Sequence, residues 1–494
     1  MHATPESLHQ AAAAKLAELS GKTLAPKDRV AIPVQEMPAQ DPEVRRHNMS
    51  EVALGYSAEQ AQLESKRCLQ CKNAPCVAGC PVRIRIPDFL RAAAEGRFDE
   101  AAAIIGENSL LPAVCGRVCP QEVQCQLPCT LGKALKDVDK AVSIGRVERY
   151  VADLRRDSGK QGVPDVKPAT GKKVAVIGSG PASITVAADV RREGHDVTMF
   201  EAFHKPGGVL IYGIPEFRLP KTIVQKEIDT LVAMGVRLET NYVVGRTRKL
   251  RDLIDKDGFS AVFVGTGAGL PKFMNIPGEN LVGVFSANEY LTRANLMKAY
   301  DTERAHTPLY NSKKVAVLGG GNVAMDAARM ALRLGAEEVH LVYRRTEKEM
   351  PARVEEVAHA REEGVIFHML QNAVRILGDA DDRVTQMECL RYELGEPDAS
   401  GRRSPVPIQG SEFLMDVDTV IVAIGNGSNP LISQTTAGLA VNKYGNIIVD
   451  DSGKSSLVGI YAGGDIVLGA ATVILAMGEG RRAAASINAY LAGC

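Results

Sequence analysis

The sequence predicts an α/β protein in which two Rossmann-like dinucleotide-binding domains follow a mostly helical, cysteine-rich N-terminal domain. Three observations predict it. Eight of the ten cysteines lie between Cys68 and Cys129. A short apolar, β-branched run leading into a glycine turn occurs at 172–183, and a near copy occurs at 313–324. Between the cysteines and the first turn lies a polar stretch, 157–171, rich in Gly, Pro, Lys and Asp, as linkers are. At roughly 100–200 residues per domain, 494 residues allow two to four domains, each with its own core. Basic and acidic side chains balance at 59 each, which argues against a polyanion-coating protein, so no nucleic-acid partner is expected. No apolar run reaches the ~18 residues of a membrane span. The alanine-rich start, 1–19, lacks the basic, apolar and cleavage segments of a signal peptide. A soluble, cytoplasmic chain is therefore expected, with no membrane partner.

The first element in chain order is the helical domain, 1–168. Its leading arm, 32–42, reads as extended and weakly structured. Ile86-Pro87-Asp88-Phe89-Leu90 opens a helix with proline in its first turn, and the alanine-rich stretches that follow have good helix propensity. The cysteines form two runs, Cys68-x2-Cys71-x4-Cys76-x3-Cys80-Pro81 and Cys115-x3-Cys119-Pro120-x4-Cys125-x3-Cys129. A disulfide scaffold would be short and secreted, which leaves metal. Structural zinc pairs short Cys knuckles across a spacer. Four close cysteines ending in Cys-Pro fit an iron–sulfur run better. Two [4Fe-4S] clusters need eight ligands, and eight cysteines are present.

Next come the two glycine turns. In the first, Gly178-Ser179-Gly180-Pro181 follows a strand; in the second, Gly319-Gly320-Gly321-Asn322-Val323 does. Glycine is required where a tight turn and an approaching pyrophosphate leave no room for a Cβ, and the helix that follows offers free N–H groups to the phosphates. One such motif is a weak signal; two, each with a second strand about 20 residues on, are a strong one. The residue closing each second strand separates the ligands. Glu201 suits a ribose with free hydroxyls, as in FAD. Arg344-Arg345 suits the 2′-phosphate of NADP(H), with Arg353 as a further phosphate contact.

Remaining pieces place an NADPH domain, 310–442, inside an FAD domain split into 169–309 and 443–494. Val262-Phe263-Val264-Gly265-Thr266-Gly267 and Val420-Ile421-Val422-Ala423-Ile424-Gly425 read as strand-to-glycine crossings between them. Pro206-Gly207-Gly208 resembles the loop over the flavin phosphates. Ile460-Tyr461-Ala462-Gly463-Gly464-Asp465 resembles the late flavoprotein motif whose aspartate meets FAD. A helix starting at Thr472-Val473 would face the flavin ring. This is a disulfide-reductase-like flavoprotein architecture without a Cys-x4-Cys redox pair beside the flavin, so electrons must leave through the iron–sulfur domain or to a bound partner.

From about Ile32 onward the chain resembles the glutamate synthase small-subunit family of NADPH-linked flavoproteins. Val114-Cys115-Gly116-Arg117-Val118-Cys119-Pro120 and Ile144-Gly145-Arg146-Val147-Glu148 look like the iron–sulfur domain that this family shares with dihydropyrimidine dehydrogenase. That resemblance implies one cluster on Cys68, Cys71, Cys76 and Cys129. It implies a second on Cys80, Cys119, Cys125 and Glu148, leaving Cys115 without a metal, against the simple count of eight thiolates. The runs 207–221, 269–274 and 469–478 look like the large, NADPH-binding subunit of NADH-dependent reduced ferredoxin:NADP+ oxidoreductase. That likeness implies electron bifurcation, with ferredoxin and a small FAD/[2Fe-2S], NAD(H)-linked subunit as partners in a hetero-oligomer. The alternatives are the small subunit of NADPH-dependent glutamate synthase serving a large amidotransferase subunit, a sulfide dehydrogenase α subunit, or a non-catalytic nucleotide-binding scaffold. The chain has no N-terminal cysteine nucleophile for amide transfer, so alone it is expected only to move electrons. The sequence identifies no acid–base catalytic side chain.

Overall fold

The computed structural model describes residues 4–159, 162–308, 310–399 and 401–493. The N-terminal domain is helical as expected. Ser57 caps Ala58–Lys66 through a reciprocal capping box with Gln60, and Pro87 sits in the first turn of Ile86–Ala94, which buries Phe89, Leu90, Ala92 and Ala93. Ile144–Asp157 buries Ile144, Val147 and Val151 along one face. The arm at 32–42 departs from expectation, because it is pinned. The Gln35 N–H donates to Glu64 at 2.9 Å, Tyr56 Oη donates to the Gln35 carbonyl at 2.6 Å, and Ala39 bridges Ala53. These partners lie tens of residues away, so local sequence could not announce them.

Two five-stranded parallel sheets follow. The first runs in the order Ile460–Ala462, Ala261–Val264, Lys173–Ile177, Asp196–Phe200, Arg237–Glu239. The second repeats that arrangement with Val284–Ser286, Thr419–Val422, Lys314–Leu318, Glu338–Tyr343 and Ile366–Met369. In each, the strand that ends in a glycine turn lies at the centre, where open α/β sheets bind ligands beyond their carboxyl ends.

The domain boundaries need correcting. Val284–Ser286 pairs with Thr419–Val422, so the second domain takes a strand from well before 310. Its exit also precedes 442: Ile432, Leu439 and Ile447 pack with Val262 and Val264 of the first domain. The crossings lie at a small antiparallel ribbon of Leu270–Pro271 with Asn426–Gly427. The glycine turn marks where a Rossmann unit binds phosphate, whereas its sheet can recruit a strand from upstream. A four-stranded antiparallel sheet built on Gln371–Gly378, Val384–Pro397, Arg403–Pro407 and Phe413–Asp416 is inserted in the second domain and was not anticipated.

One apolar core runs without interruption from Phe89 and Val147 of the helical domain to Val176, Met477 and Ala483 of the first dinucleotide domain. Joined this way, the cysteine-rich domain is fixed against the first sheet. The C-terminal helix Val473–Ala492 packs on Pro181–Arg192, so closely that a Cβ at Gly480 would sit 2.5 Å from the Ala182 carbonyl. No helix among the described residues is long and apolar enough to cross a membrane.

Candidate active site

The first glycine turn is shaped for close approach. Gly178 has φ +90°, and a Cβ there would lie 2.5 Å from the Gly265 carbonyl. Gly180 caps Pro181–Arg192, leaving the N-terminal N–H groups of that helix without a side-chain cap. Gly208, at φ +55°, lies so near Gly180 that a Cβ would come within 2.8 Å of its Cα. The Gly207 N–H donates to Ser179 Oγ at 2.9 Å, and that hydroxyl donates to Glu201. Glu201 is 5% exposed; burial raises its carboxyl above the ordinary range, opposed by the N–H of Phe203 and by Ser179.

Gly178, Ser179, Gly180, Glu201 and Gly208 line a cavity of about 250 Å³ together with Tyr212 and Thr266. A second, smaller cavity is lined by Gly180, Pro181, Gly464, Asp465, Thr472 and Val473. Burial pushes Asp465 up to about 7, and Thr266 Oγ1 is buried with no partner. Glycines that cannot bear a Cβ, an orphaned hydroxyl and a desolvated carboxyl on one surface fit FAD. Of the expected residues, Gly463 packs on Phe263 and Glu479 while its neighbour Gly464 lines the cavity. Gly267 lies just past Thr266, outside the cavity-lining set. Thr266 and Tyr212 carried no sequence signal beyond adjacency to glycine motifs.

In the second turn, Gly319 has φ +144°, with the Ala423 carbonyl 2.4 Å from where a Cβ would be. Gly321 precedes Asn322–Arg333, Val323 is exposed, and Asn322 Oδ1 accepts the Arg353 N–H at 2.9 Å. The arginines divide. Arg344 is exposed. Arg345 is 7% exposed, and its guanidinium is committed to Asp398 at 2.6 Å and the Arg403 carbonyl at 2.7 Å. Consecutive residues leaving a strand point to opposite sides, so the pair cannot both face one ribose. Arg353, also 7% exposed, donates to the Arg117 carbonyl at 2.7 Å, Gln121 at 3.1 Å and Glu355 at 3.0 Å. These bonds tie the second domain to the cysteine-rich one, while its Nε is buried without a hydrogen-bond partner.

The cysteines fall into two neighbourhoods. Cys68, Cys71, Cys76 and Cys129 influence one another electrostatically, and burial pushes Cys68 up to about 11 and Cys76 up to about 12. Cys80, Cys115, Cys119, Cys125 and Glu148 surround one small cavity with Ile84, Phe89 and Ile474. The nine described cysteines are all free thiols. Buried thiols of raised pKa are unfavourable as bare thiolates, and a bound metal reverses that by holding them deprotonated. Glu148 is 7% exposed, with Oε1 unpartnered, and burial alone pushes it up to about 8. A carboxyl stranded among thiols fits a cluster better than a protein partner. Cys115 Sγ lies 3.6 Å from Met477 Sδ.

The flavin cavity and the thiol cavity share a wall. Thr472 and Val473, at the start of the C-terminal helix, line the first; Ile474 lines the second. Gly478, one turn on, lets the Pro81 carbonyl approach to 3.1 Å of its missing Cβ. Gln124, between Cys119 and Cys125, donates to Thr472 Oγ1 at 3.1 Å. Sequence reasoning passed over Gln124 because nothing local links it to residue 472.

Residues 45–160 match the family described as dihydropyrimidine dehydrogenase domain II, 4Fe-4S cluster. Residues 172–480 match the pyridine nucleotide-disulphide oxidoreductase family. The small chain of NADPH glutamate synthase from Azospirillum brasilense is 38% identical over 92% of this chain and 94% of its own length. The beta subunit of NADP(+)-dependent formate dehydrogenase from Moorella thermoacetica is 40% identical over 85% of this chain, which spans 60% of that protein. Among solved structures, FprA of Mycobacterium tuberculosis in complex with NADPH superposes with a TM-score of 0.55 at 20% identity, over 65% of this chain and 85% of that one.

Proposed function

Since the chain belongs to the pyridine nucleotide-disulphide oxidoreductase family and carries a 4Fe-4S domain ahead of its flavin domain, we propose that it is the NADPH-linked, electron-delivering subunit of a larger complex. It is an NADP(H)-dependent iron–sulfur flavoprotein oxidoreductase. FAD supplies hydride exchange with NADPH, and iron–sulfur clusters supply one-electron transfer. The observation that carries the proposal is the shared wall. The first turn of the C-terminal helix lies against the flavin cavity on one side and the thiol cavity on the other. The remaining described cysteine, Cys389, is buried in the core beneath the antiparallel sheet, remote in sequence from both.

The chain's own residues hold and separate the groups. Gly178, Gly180, Pro181, Glu201, Gly207, Gly208 and Asp465 would cradle FAD; Gly319, Gly321, Asn322 and Arg344 would take NADPH. Cys68, Cys71, Cys76 and Cys129 would hold one cluster, and Cys80, Cys119, Cys125 and Glu148 the other. The unpartnered Glu148 oxygen and the packing of Cys115 on Met477 support this over an all-thiolate set. Cys115→Ala is expected to keep about eight irons per chain, the content of two four-iron clusters, and Glu148→Ala to lose iron. Loss of iron in Cys115→Ala with none in Glu148→Ala would reverse the assignment.

The recipient of the electrons is a partner protein. The end-to-end match to a glutamate synthase small chain favours a large amidotransferase subunit. The second reading, a bifurcating large subunit with a small FAD/[2Fe-2S] subunit and ferredoxin, is favoured by the runs at 207–221, 269–274 and 469–478. Copurification from native extract tests both: an FMN-containing amidotransferase selects the first and a small flavin-bearing subunit the second. In either case the isolated chain is expected to pass electrons from NADPH to dyes without performing a coupled reaction among NAD(H), NADP(H) and ferredoxin. A single purified chain that catalyses that three-way reaction would overturn the need for a partner.

A further inference from the structure

The cavity assigned to the flavin and the cavity ringed by Cys80, Cys119 and Cys125 are linked by a side-chain hydrogen bond. Gln124 lines the thiol cavity, Thr472 lines the flavin cavity, and Gln124 Nε2 donates to Thr472 Oγ1 at 3.1 Å. Thr472 is also the N-cap of Val473–Ala492, and its Oγ1 accepts the Leu475 N–H at 3.3 Å. A hydroxyl offers two acceptor lone pairs and one hydrogen. Both lone pairs are taken, one by the helix and one by the cysteine-bearing loop. Only the hydrogen is left, and the open space beside Thr472 is the flavin cavity.

We infer that Gln124 is a positioning residue for the flavin: by donating to Thr472 from the cluster-binding loop, it fixes that hydroxyl as a hydrogen-bond donor toward the bound cofactor. The donor adds to the positive N-terminal end of the C-terminal helix. Both favour the electron-rich, reduced flavin over the oxidised one, as preorganised donors do wherever negative charge develops. The loop that carries two of the cluster ligands thereby also sets how readily the flavin is reduced. The contact is specific in kind. An acceptor at position 124 would draw the Thr472 hydrogen away from the flavin, and an apolar residue would free one lone pair and let the hydroxyl turn.

The inference rests on the flavin assignment above, and its test separates the two. The midpoint potential of the bound flavin is measured on purified holoprotein whose flavin and iron contents are determined alongside. Gln124→Leu is expected to make the flavin harder to reduce by about tenfold in the reduced-to-oxidised ratio, which is about 30 mV for a two-electron couple. Thr472→Val should shift it in the same direction by at least as much, and Thr472→Ser should restore the wild-type value. If Gln124 acts through Thr472, adding Gln124→Leu to Thr472→Val changes nothing further, the signature of coupled residues. Should Gln124→Leu lose iron, Gln124→Met replaces it, being of similar length and without a donor. An unchanged potential in a Gln124 variant with full flavin and iron would overturn the inference, as would effects that simply add. A wild-type protein that binds no flavin would remove the flavin assignment and the inference together.

Discussion

Glu363→Gln is expected to destabilise the second dinucleotide domain by about 3–5 kcal/mol, the range for removing one partner of a buried ion pair. Glu363 is fully buried and receives three guanidiniums: Arg45 at 2.9 Å, Arg329 at 2.8 Å and Arg333 at 2.6 Å. Arg329 and Arg333 also lie over the Phe217 ring, at 4.7 and 3.9 Å from its centroid. Arg218 from the same loop reaches Asp326 at 2.6 Å. The N-terminal segment just past the arm and the second domain therefore meet on one carboxylate, with Phe217 of the first dinucleotide domain stacked against two of its arginines, and a neutral amide there leaves buried cations short of charge. The arginines hold Glu363 far below the ordinary carboxylate range. Its contribution is thus present above its unfolded pKa of about 4.3 and is lost only as pH falls through the lower folded value. Denaturant unfolding checks the size of the loss, and the gap between wild type and variant should close in strong acid. A change below about 1 kcal/mol at neutral pH would mean that the network is not what fixes the domains.

Arg344→Ala is expected to weaken NADPH binding by about 1.5–3 kcal/mol, the worth of hydrogen bonds to a charged group, or roughly ten- to 150-fold, with NADH nearly unaffected. Arg345→Ala should behave differently. Its partners Asp398 and the Arg403 carbonyl belong to the antiparallel sheet and its turn, so the loss falls on stability and on both nucleotides alike. Equal losses of NADPH and NADH for Arg344→Ala would contradict the role given to that side chain.

What the sequence made legible follows the range of the forces involved. Gly178 and Gly319 were readable because a turn with no room for a Cβ is a local demand, met by the same residue type wherever it occurs. The helix starts at Thr472-Val473 and at Ile86 were readable because they too are local. Arg344 and Arg345 could be placed at a strand end but not distinguished. Which of the two is buried depends on Asp398, and nothing near 345 announces the antiparallel sheet between. Arg353 looked like a phosphate contact by position and is held instead by Arg117 and Gln121, more than 230 residues earlier in the chain. The boundary at 310 was misplaced because glycine marks the phosphate turn, while Val284–Ser286 joins the sheet through backbone pairing that any extended apolar segment can make. Gln124 and Glu363 owe their roles wholly to partners brought together by folding.

In the proposed route, electrons from NADPH cross the wall at the start of the C-terminal helix, from the flavin into the iron–sulfur domain. Anaerobic titration of the iron-replete, flavin-loaded chain with NADPH, followed by visible absorbance and by electron paramagnetic resonance, tests it most directly. The flavin band is expected to bleach, and the signal of a reduced four-iron cluster then to grow in the same sample. Glu148→Ala is expected to bleach normally but to develop less of that signal. A flavin that bleaches fully while both clusters stay oxidised, even with excess NADPH and a low-potential mediator present, would contradict the route.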